Sequence, residues 1–193
     1  MRSYSYVVFA ALLGMVTTVA VPQQVVPPPP KPVDGGASLA VTMQFLQTRL
    51  SELGAIYYAA YIVDNATGRE WVEQVGVETR GVRADAAACR IEYHLKNTTD
   101  GKVSYDHDEA IPLHEVQSLE VRTGVQHRKR LDSSDGHPTW DARMDPPLFV
   151  VVIRRSGKDT DWFYFGDEDT ASRVARGMVH AVELCGGGNR DPF

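Results

Sequence analysis

After Gly54 the hydrophobic period becomes two in one stretch after another, and that period argues for β-structure. The clearest stretch sets Cys89, Ile91, Tyr93 and Leu95 against Arg90, Glu92, His94 and Lys96, one face for a core and one for water. Ile56 to Val63 is rich in tyrosine and β-branched residues and ends in Asp64-Asn65-Ala66-Thr67-Gly68, a turn composition. Further strands are expected from Glu70 to Val82 and, after Asp100-Gly101, from Lys102 to Asp108. A fifth is carried by Leu119, Val121, Thr123 and Val125 alternating with Glu120, Arg122 and Gln126. A long polar loop then spans Asp132 to Pro147. The unbroken run Leu148 to Ile153 reads as a strand covered on both sides, forming a hairpin with Asp161 to Phe165 through Ser156-Gly157-Lys158. The expectation is seven strands.

The period changes to helical at both ends. Ser38 caps a helix from Leu39 to Leu53, with Leu39, Met43, Leu46, Leu50 and Leu53 on one face and Gly54 as its stop. A second helix enters through Gly166-Asp167-Glu168-Asp169-Thr170, where acidic residues suit the helix dipole. Its apolar stripe is Ala171, Val174, Ala175, Met178, Val182 and Cys185, and Gly186 ends it.

Short antiparallel strands followed directly by one amphipathic helix resemble the pleckstrin-homology-type barrel, over about Ala55 to Cys185. The fold class is therefore expected to be α+β, mainly β: a pleckstrin-homology-like barrel with a carboxy-terminal helix and an extra amino-terminal one. In that family the inositol-phosphate binders carry several basic residues in the loop between the first two strands. Here the loop Asp64 to Arg69 has one basic and one acidic residue, so the resemblance does not carry the ligand across. The segment from Phe163-Tyr-Phe-Gly-Asp-Glu-Asp to Met178-Val-His-Ala-Val-Glu-Leu-Cys185 is similar to secreted proteins of environmental bacteria, a likeness that implies no activity.

The amino end predicts export, to a secreted or periplasmic location. Arg2 precedes an apolar run from Val7 to Val16, and Thr18 and Ala20 are the small residues of a signal cleavage site, placing the cut after Ala20. The run is shorter than the roughly 20 residues a membrane span needs, so no transmembrane segment is expected after cleavage. Val21 to Gly36, with Pro27 to Pro30 at its centre, reads as a stiff tether. The organisation expected is thus signal 1–20, linker 21–37, helix 38–54, barrel domain 55–186 and tail 187–193. Loss of Arg2 makes the mature chain one unit more negative than the −5 of the full sequence, which gives it no general attraction for nucleic acid. Cys89 and Cys185 are the only cysteines, and in an oxidising compartment they are expected to form a disulfide, with both sulfurs at the interface of strand and helix.

Catalytic signals are sparse. His107 lies between Asp106 and Asp108, but neighbouring side chains on a strand point to opposite faces, so the three do not converge on a metal. His114, His127, His137 and His180 show no ligand spacing, and no Gly-x-Ser-x-Gly turn is present. Asn65-Ala66-Thr67 and Asn97-Thr98-Thr99 match the glycosylation pattern and are placed in turns. His127-Arg128-Lys129-Arg130 is the basic cluster, leading to His137, Trp140 and Arg143. Arg128, Lys129, Arg130, His137 and Trp140 are the candidate surface for a protein, peptide or anionic partner. The reading is an exported, non-catalytic binding or scaffolding domain without cofactor or metal. Its alternatives are a small enzyme with a site in the 127–147 loop and a lipocalin-like carrier. Tyr58, Tyr93, Phe149 and Trp162 are expected to fill the barrel, which places the carrier last. Amino-terminal sequencing of exported protein is expected to begin at Val21, whereas recovery of Met1 outside the cell would contradict a cleaved signal.

Overall fold

The computed structural model describes residues 36–132, 140–155 and 158–188. The signal, most of the linker, His137, the Ser156-Gly157 turn and the end of the tail lie outside them. The architecture is α+β and mainly strands. The elements run α1 (Leu39–Ser51), β1 (Ala55–Asp64), β2 (Glu70–Asp85), β3 (Arg90–Thr99), β4 (Lys102–Pro112), a 3-10 turn, β5 (Val116–Thr123), α2 (Gly124–Asp132), β6 (Trp140–Asp145), β7 (Phe149–Arg155), β8 (Lys158–Phe165) and α3 (Glu168–Leu184).

The strands form two antiparallel sheets, one of five in the order β4-β3-β2-β1-β6 and one of three in the order β5-β7-β8. This corrects the expectation of one barrel of seven strands: there are eight among the described residues, and the sheets do not close. The extra strand is β6, inside the expected loop. Its period of two is real, with Trp140, Ala142 and Met144 turned inward, but it is brief and charged at every other position. Pairing of Ile62 with Ala142 and Ala60 with Met144 makes it the edge of the larger sheet.

A second correction concerns α2. The fifth strand stops at Thr123, and the basic cluster sits on a helix instead of a strand end. The cause is a capping box. The Thr123 hydroxyl accepts from the Gln126 amide at 3.2 Å, and the Gln126 side-chain oxygen accepts from the Thr123 amide at 3.0 Å. Beside this helix Arg122, expected to face water, is buried against Glu120 at 2.5 Å.

The helices follow their patterns. Ser38 accepts from the Val41 amide at 3.4 Å, and Met43, Leu46 and Leu50 are buried on α1. Asp167 caps α3 by accepting from the Thr170 amide at 2.8 Å, and Ala171, Val174, Ala175, Met178 and Val182 are all buried. The helices touch where Gly177 meets Phe45. A Cβ at Gly177 would lie 2.9 Å from the Phe45 ring, so the close approach requires glycine.

Cys89 and Cys185 are bonded, with Cα atoms 5.8 Å apart and a sequence separation of 96. Cys89 is in the turn before β3 and not on its core face, with a left-handed φ of 48° that costs about 1 kcal/mol. Cys185 is the carboxy-terminal cap just after α3 and opens a Schellman turn, in which Gly186 (φ 78°) donates to Glu183 and Gly187 donates to Val182. The chain-entropy account gives a bridge of this span about 4–5 kcal/mol. The double variant Cys89→Ser/Cys185→Ser is expected to lose most of that in urea unfolding, to a stability that reductant does not change. Equal stability with and without the bridge would contradict it.

Candidate functional site

Beyond Ile91 and Ile111 the inner face of the β3–β4 hairpin carries side chains that the smaller sheet does not cover. The register places Tyr93 opposite Glu109 and Asn97 opposite Tyr105. Across from them stand Arg155 of β7, Asp161 and Trp162 of β8, and Leu131 of α2, enclosing with Leu95 a cleft of about 540 Å³. Of the bulky residues expected inside, Tyr58 and Tyr93 are buried in the core and Phe149 and Trp162 pack against it; Tyr93 and Trp162 also wall this cleft, the Tyr93 ring lying 4.8 Å from Phe163.

The floor is a polar network that joins the two sheets. Arg155 Nε lies 2.7 Å from Asp161 Oδ2, and its Nη2 donates to Oδ1 at 3.3 Å. Arg155 Nη1 donates to the Ala110 carbonyl of β4 at 3.2 Å, and the Tyr93 hydroxyl donates to Asp161 Oδ1 at 3.4 Å. Burial lifts the Asp161 carboxyl to about 6, against the pull of Arg155 and with a further push from Glu109. Burial, with the Asp161 charge beside it, also raises the Tyr93 phenol above its ordinary value. Higher on the wall, the Tyr105 hydroxyl donates to Glu109.

Four residues of the lining carry buried polar atoms without a hydrogen bond; Arg155 Nε and Asp161 Oδ2 face each other as an ion pair, which leaves Asn97 Oδ1 and Trp162 Nε1 without any partner among the described residues. One is an acceptor and the other a donor. Each such group left unpaired costs about 1–3 kcal/mol, and both ring nitrogens of the buried His127 are unpartnered as well. Behind Trp162, His127 is buried on α2 with its ring 5.1 Å from the indole and 6.0 Å from Tyr164. Burial and the Arg122 charge push its pKa down to about 4, opposed by Glu120.

The residues singled out from sequence are only partly brought together. Arg128 pairs with Glu73 at 2.9 Å, Lys129 pairs with Asp141 at 2.6 Å and lies 6.0 Å from the centre of the Trp140 ring, and Arg130 is exposed. His137 is outside the described residues. Among the described residues, carboxylates thus pair directly with Arg128 and Lys129. Asn97 lies on β3 and not in a turn, whereas Asn65 is in its turn and exposed. Asp106 and Asp108 do share a face, and the histidine they hold is His94 across the strand pair, with Nε2 2.8 Å from Asp106 and Nδ1 2.8 Å from Asp108. These hydrogen bonds raise the His94 pKa, Asp108 contributing most. The two nitrogens face opposite carboxylates, so the three groups do not aim at one point. Cross-strand register, which a sequence does not print, is what hid both this cluster and the cleft. Protein-family models, curated proteins and solved structures give no match to the chain.

His127 and Asp161 oppose each other in acid. A depressed histidine gives stability that is complete above its ordinary 6.5 and is lost as pH falls toward 4, about 3 kcal/mol in all. A raised carboxyl gives stability that is complete below 3.8 and is lost as pH rises toward 6. Urea midpoints between pH 4 and 6.5 are expected to rise less steeply with pH in His127→Phe than in the wild type, and more steeply in Asp161→Asn. Identical slopes in all three proteins would refute both assignments.

Proposed function

We propose that this chain is an exported, non-catalytic binding module that takes its ligand in the cleft between the two sheets. The observation that carries the reading is the open cleft of about 540 Å³ between the sheets, walled by Tyr93, Leu95, Tyr105 and Trp162 and set with Asn97, Glu109, Arg155 and Asp161. Pockets that bind small groups have this make-up, apolar walls with a few placed polar atoms. The disulfide supports an oxidising compartment, and no described helix is long and apolar enough to cross a membrane. The meander β1 to β4, the second sheet and the closing α3 support kinship with pleckstrin-homology-type folds, although β6 on the edge of the larger sheet departs from that plan. An inositol phosphate does not suit the cleft, which sets Glu109 and Asp161 against the single Arg155.

One observation favours a second reading. A carboxyl near pKa 6, facing Glu109 in a cleft, is what acid-base catalysis uses. Against it, Asp161 is already engaged by Arg155 and Tyr93, as a clamp between the sheets requires.

Ligand-observed NMR of the mature, oxidised protein with a library of small amides, amino acids and saccharides tests the site. The expected hits carry a donor and an acceptor together. Asn97→Leu removes the orphaned acceptor at similar volume, so it is expected to raise the unfolding free energy by about 1 kcal/mol while abolishing those hits. Hits that persist undiminished in Asn97→Leu would overturn the cleft as the site. Turnover of a bound fragment that stops in Asp161→Asn would establish the enzyme instead.

A further inference from the structure

Taking the cleft as the binding site, we propose that its ligand is a small organic monocation, whose ammonium group donates to Glu109 while the apolar body that carries it lies against Tyr105, Trp162 and Leu131.

The lining carries one more carboxylate than cation. Its charged side chains are Arg155, Asp161 and Glu109. Arg155 is fully engaged: Nε and Nη2 meet the two oxygens of Asp161, and Nη1 donates to the Ala110 carbonyl. The Arg155 side chain is 13% exposed and that of Asp161 7%, so this pair belongs to the packing between the sheets. Glu109 stands differently. It is half-buried opposite Tyr93, and among the described side chains no Lys, Arg or His forms an ion pair with it. The Tyr105 hydroxyl, a neutral donor, is what it accepts from. A carboxylate has room for further donors, and a protonated amine brings three together with the missing charge.

Partial burial strengthens that attraction. At a site partly withdrawn from water a unit charge attracts its opposite about four times as strongly as in bulk water. The neighbouring acid already feels Glu109: burial holds the Asp161 carboxyl up and Arg155 draws it down, while Glu109 pushes it further up. A cation beside Glu109 relieves that push. An anionic ligand would instead add a third negative charge to two carboxylates that face one guanidinium.

The walls choose an organic cation over a bare ion. Tyr93, Tyr105 and Trp162 surround the two carboxylates, and aromatic rings attract ammonium groups through their electron-rich faces. Leu95 and Leu131 continue the lining in carbon, Leu131 being 51% exposed and so available to a ligand. Among the described residues no three His, Cys, Asp or Glu side chains gather as metal ligands, and a divalent ion takes more oxygens than Glu109 and Asp161 offer. The cleft volume of about 540 Å³ falls in the range of small-molecule sites.

The test holds shape constant and varies charge. Phenethylammonium, phenethyl alcohol and phenylpropionate share one apolar body, and each is titrated into the mature, oxidised protein at neutral pH and low salt by calorimetry and NMR. The ammonium is expected to bind about tenfold more tightly than the alcohol, and the carboxylate more weakly than either. Bound ammonium should shift the resonances of Tyr105, Glu109 and the Trp162 indole. Glu109→Gln keeps an acceptor for the Tyr105 hydroxyl, so in this variant the ammonium should fall to the affinity of the alcohol, whose own binding changes by less than about twofold. Salt gives a second reading on the unaltered chain, since rising ionic strength should weaken the ammonium toward the alcohol and leave the alcohol unmoved. Equal affinities of ammonium and alcohol overturn the proposal, as does ammonium binding undiminished in Glu109→Gln or tighter binding of the carboxylate. Neutral fragments that occupy the cleft without any preference for charge refute this inference and leave the cleft standing as a site. Silence from all three probes and from the fragment library removes both.

Discussion

The bond between Cys89 and Cys185 ties the larger sheet to the helix that lies on the smaller one. Cys89 belongs to the turn that launches β3 in the larger sheet, and Cys185 ends the helix that lies against β5, β7 and β8. Around the bridge the backbone is knitted closely. The Cys89 carbonyl accepts from Leu113, Gly187 sits against the Leu113 carbonyl, and Gly188 donates to the Val116 carbonyl. Only glycine fits at Gly187, because a Cβ there would fall 2.3 Å from that carbonyl oxygen. With the helix fixed at its end, its apolar stripe can bury against the smaller sheet, and Gly177 can bring α1 down onto it.

The sheets meet a second time at Arg155, Asp161 and Tyr93. A buried ion pair of this kind adds little net stability, since desolvation offsets most of the attraction, but breaking it leaves a charge without a partner. What it fixes is spacing. Arg155 reaches Ala110 of β4 and Tyr93 reaches Asp161 of β8, so the two edges stand apart at a set distance and the cleft remains between them. The result is two sheets packed on one apolar core, with a cleft left open at the corner where this ion pair stands.

Local physics made much of this legible in the sequence. The alternation of Ile91, Tyr93 and Leu95 gave the face of β3, the spacing of Met43, Leu46 and Leu50 gave α1, and the two cysteines gave their bond. Thr123 and Gln126 also formed a readable capping signal, yet the apolar alternation running on to Val125 hid it. What was not legible depends on pairing over distance. Nothing near Trp140 says that β6 will lie beside β1, and nothing near Asn97 says that it faces Tyr105 across a hairpin. Basic residues clustered in sequence drew attention to 128–130, but Glu73 and Asp141 arrive from remote strands to meet two of them. Wherever the site depends on which strand stands next to which, sequence alone could name the side chains but not their company.

The central claim is that the corner between β4 and β8 stands open in the free protein. Amide hydrogen exchange on the oxidised chain, followed residue by residue by NMR, measures this directly, because an N–H without a partner strand exchanges fast even beside a stable core. The account predicts slow exchange along β3, β7 and α3, and an alternation along Tyr105 to Ile111 in which amides bonded to β3 are protected and outward amides are not. Uniform protection along β4, equal to that of β3, would mean that another strand already closes this edge, and would contradict the open cleft on which the functional reading depends.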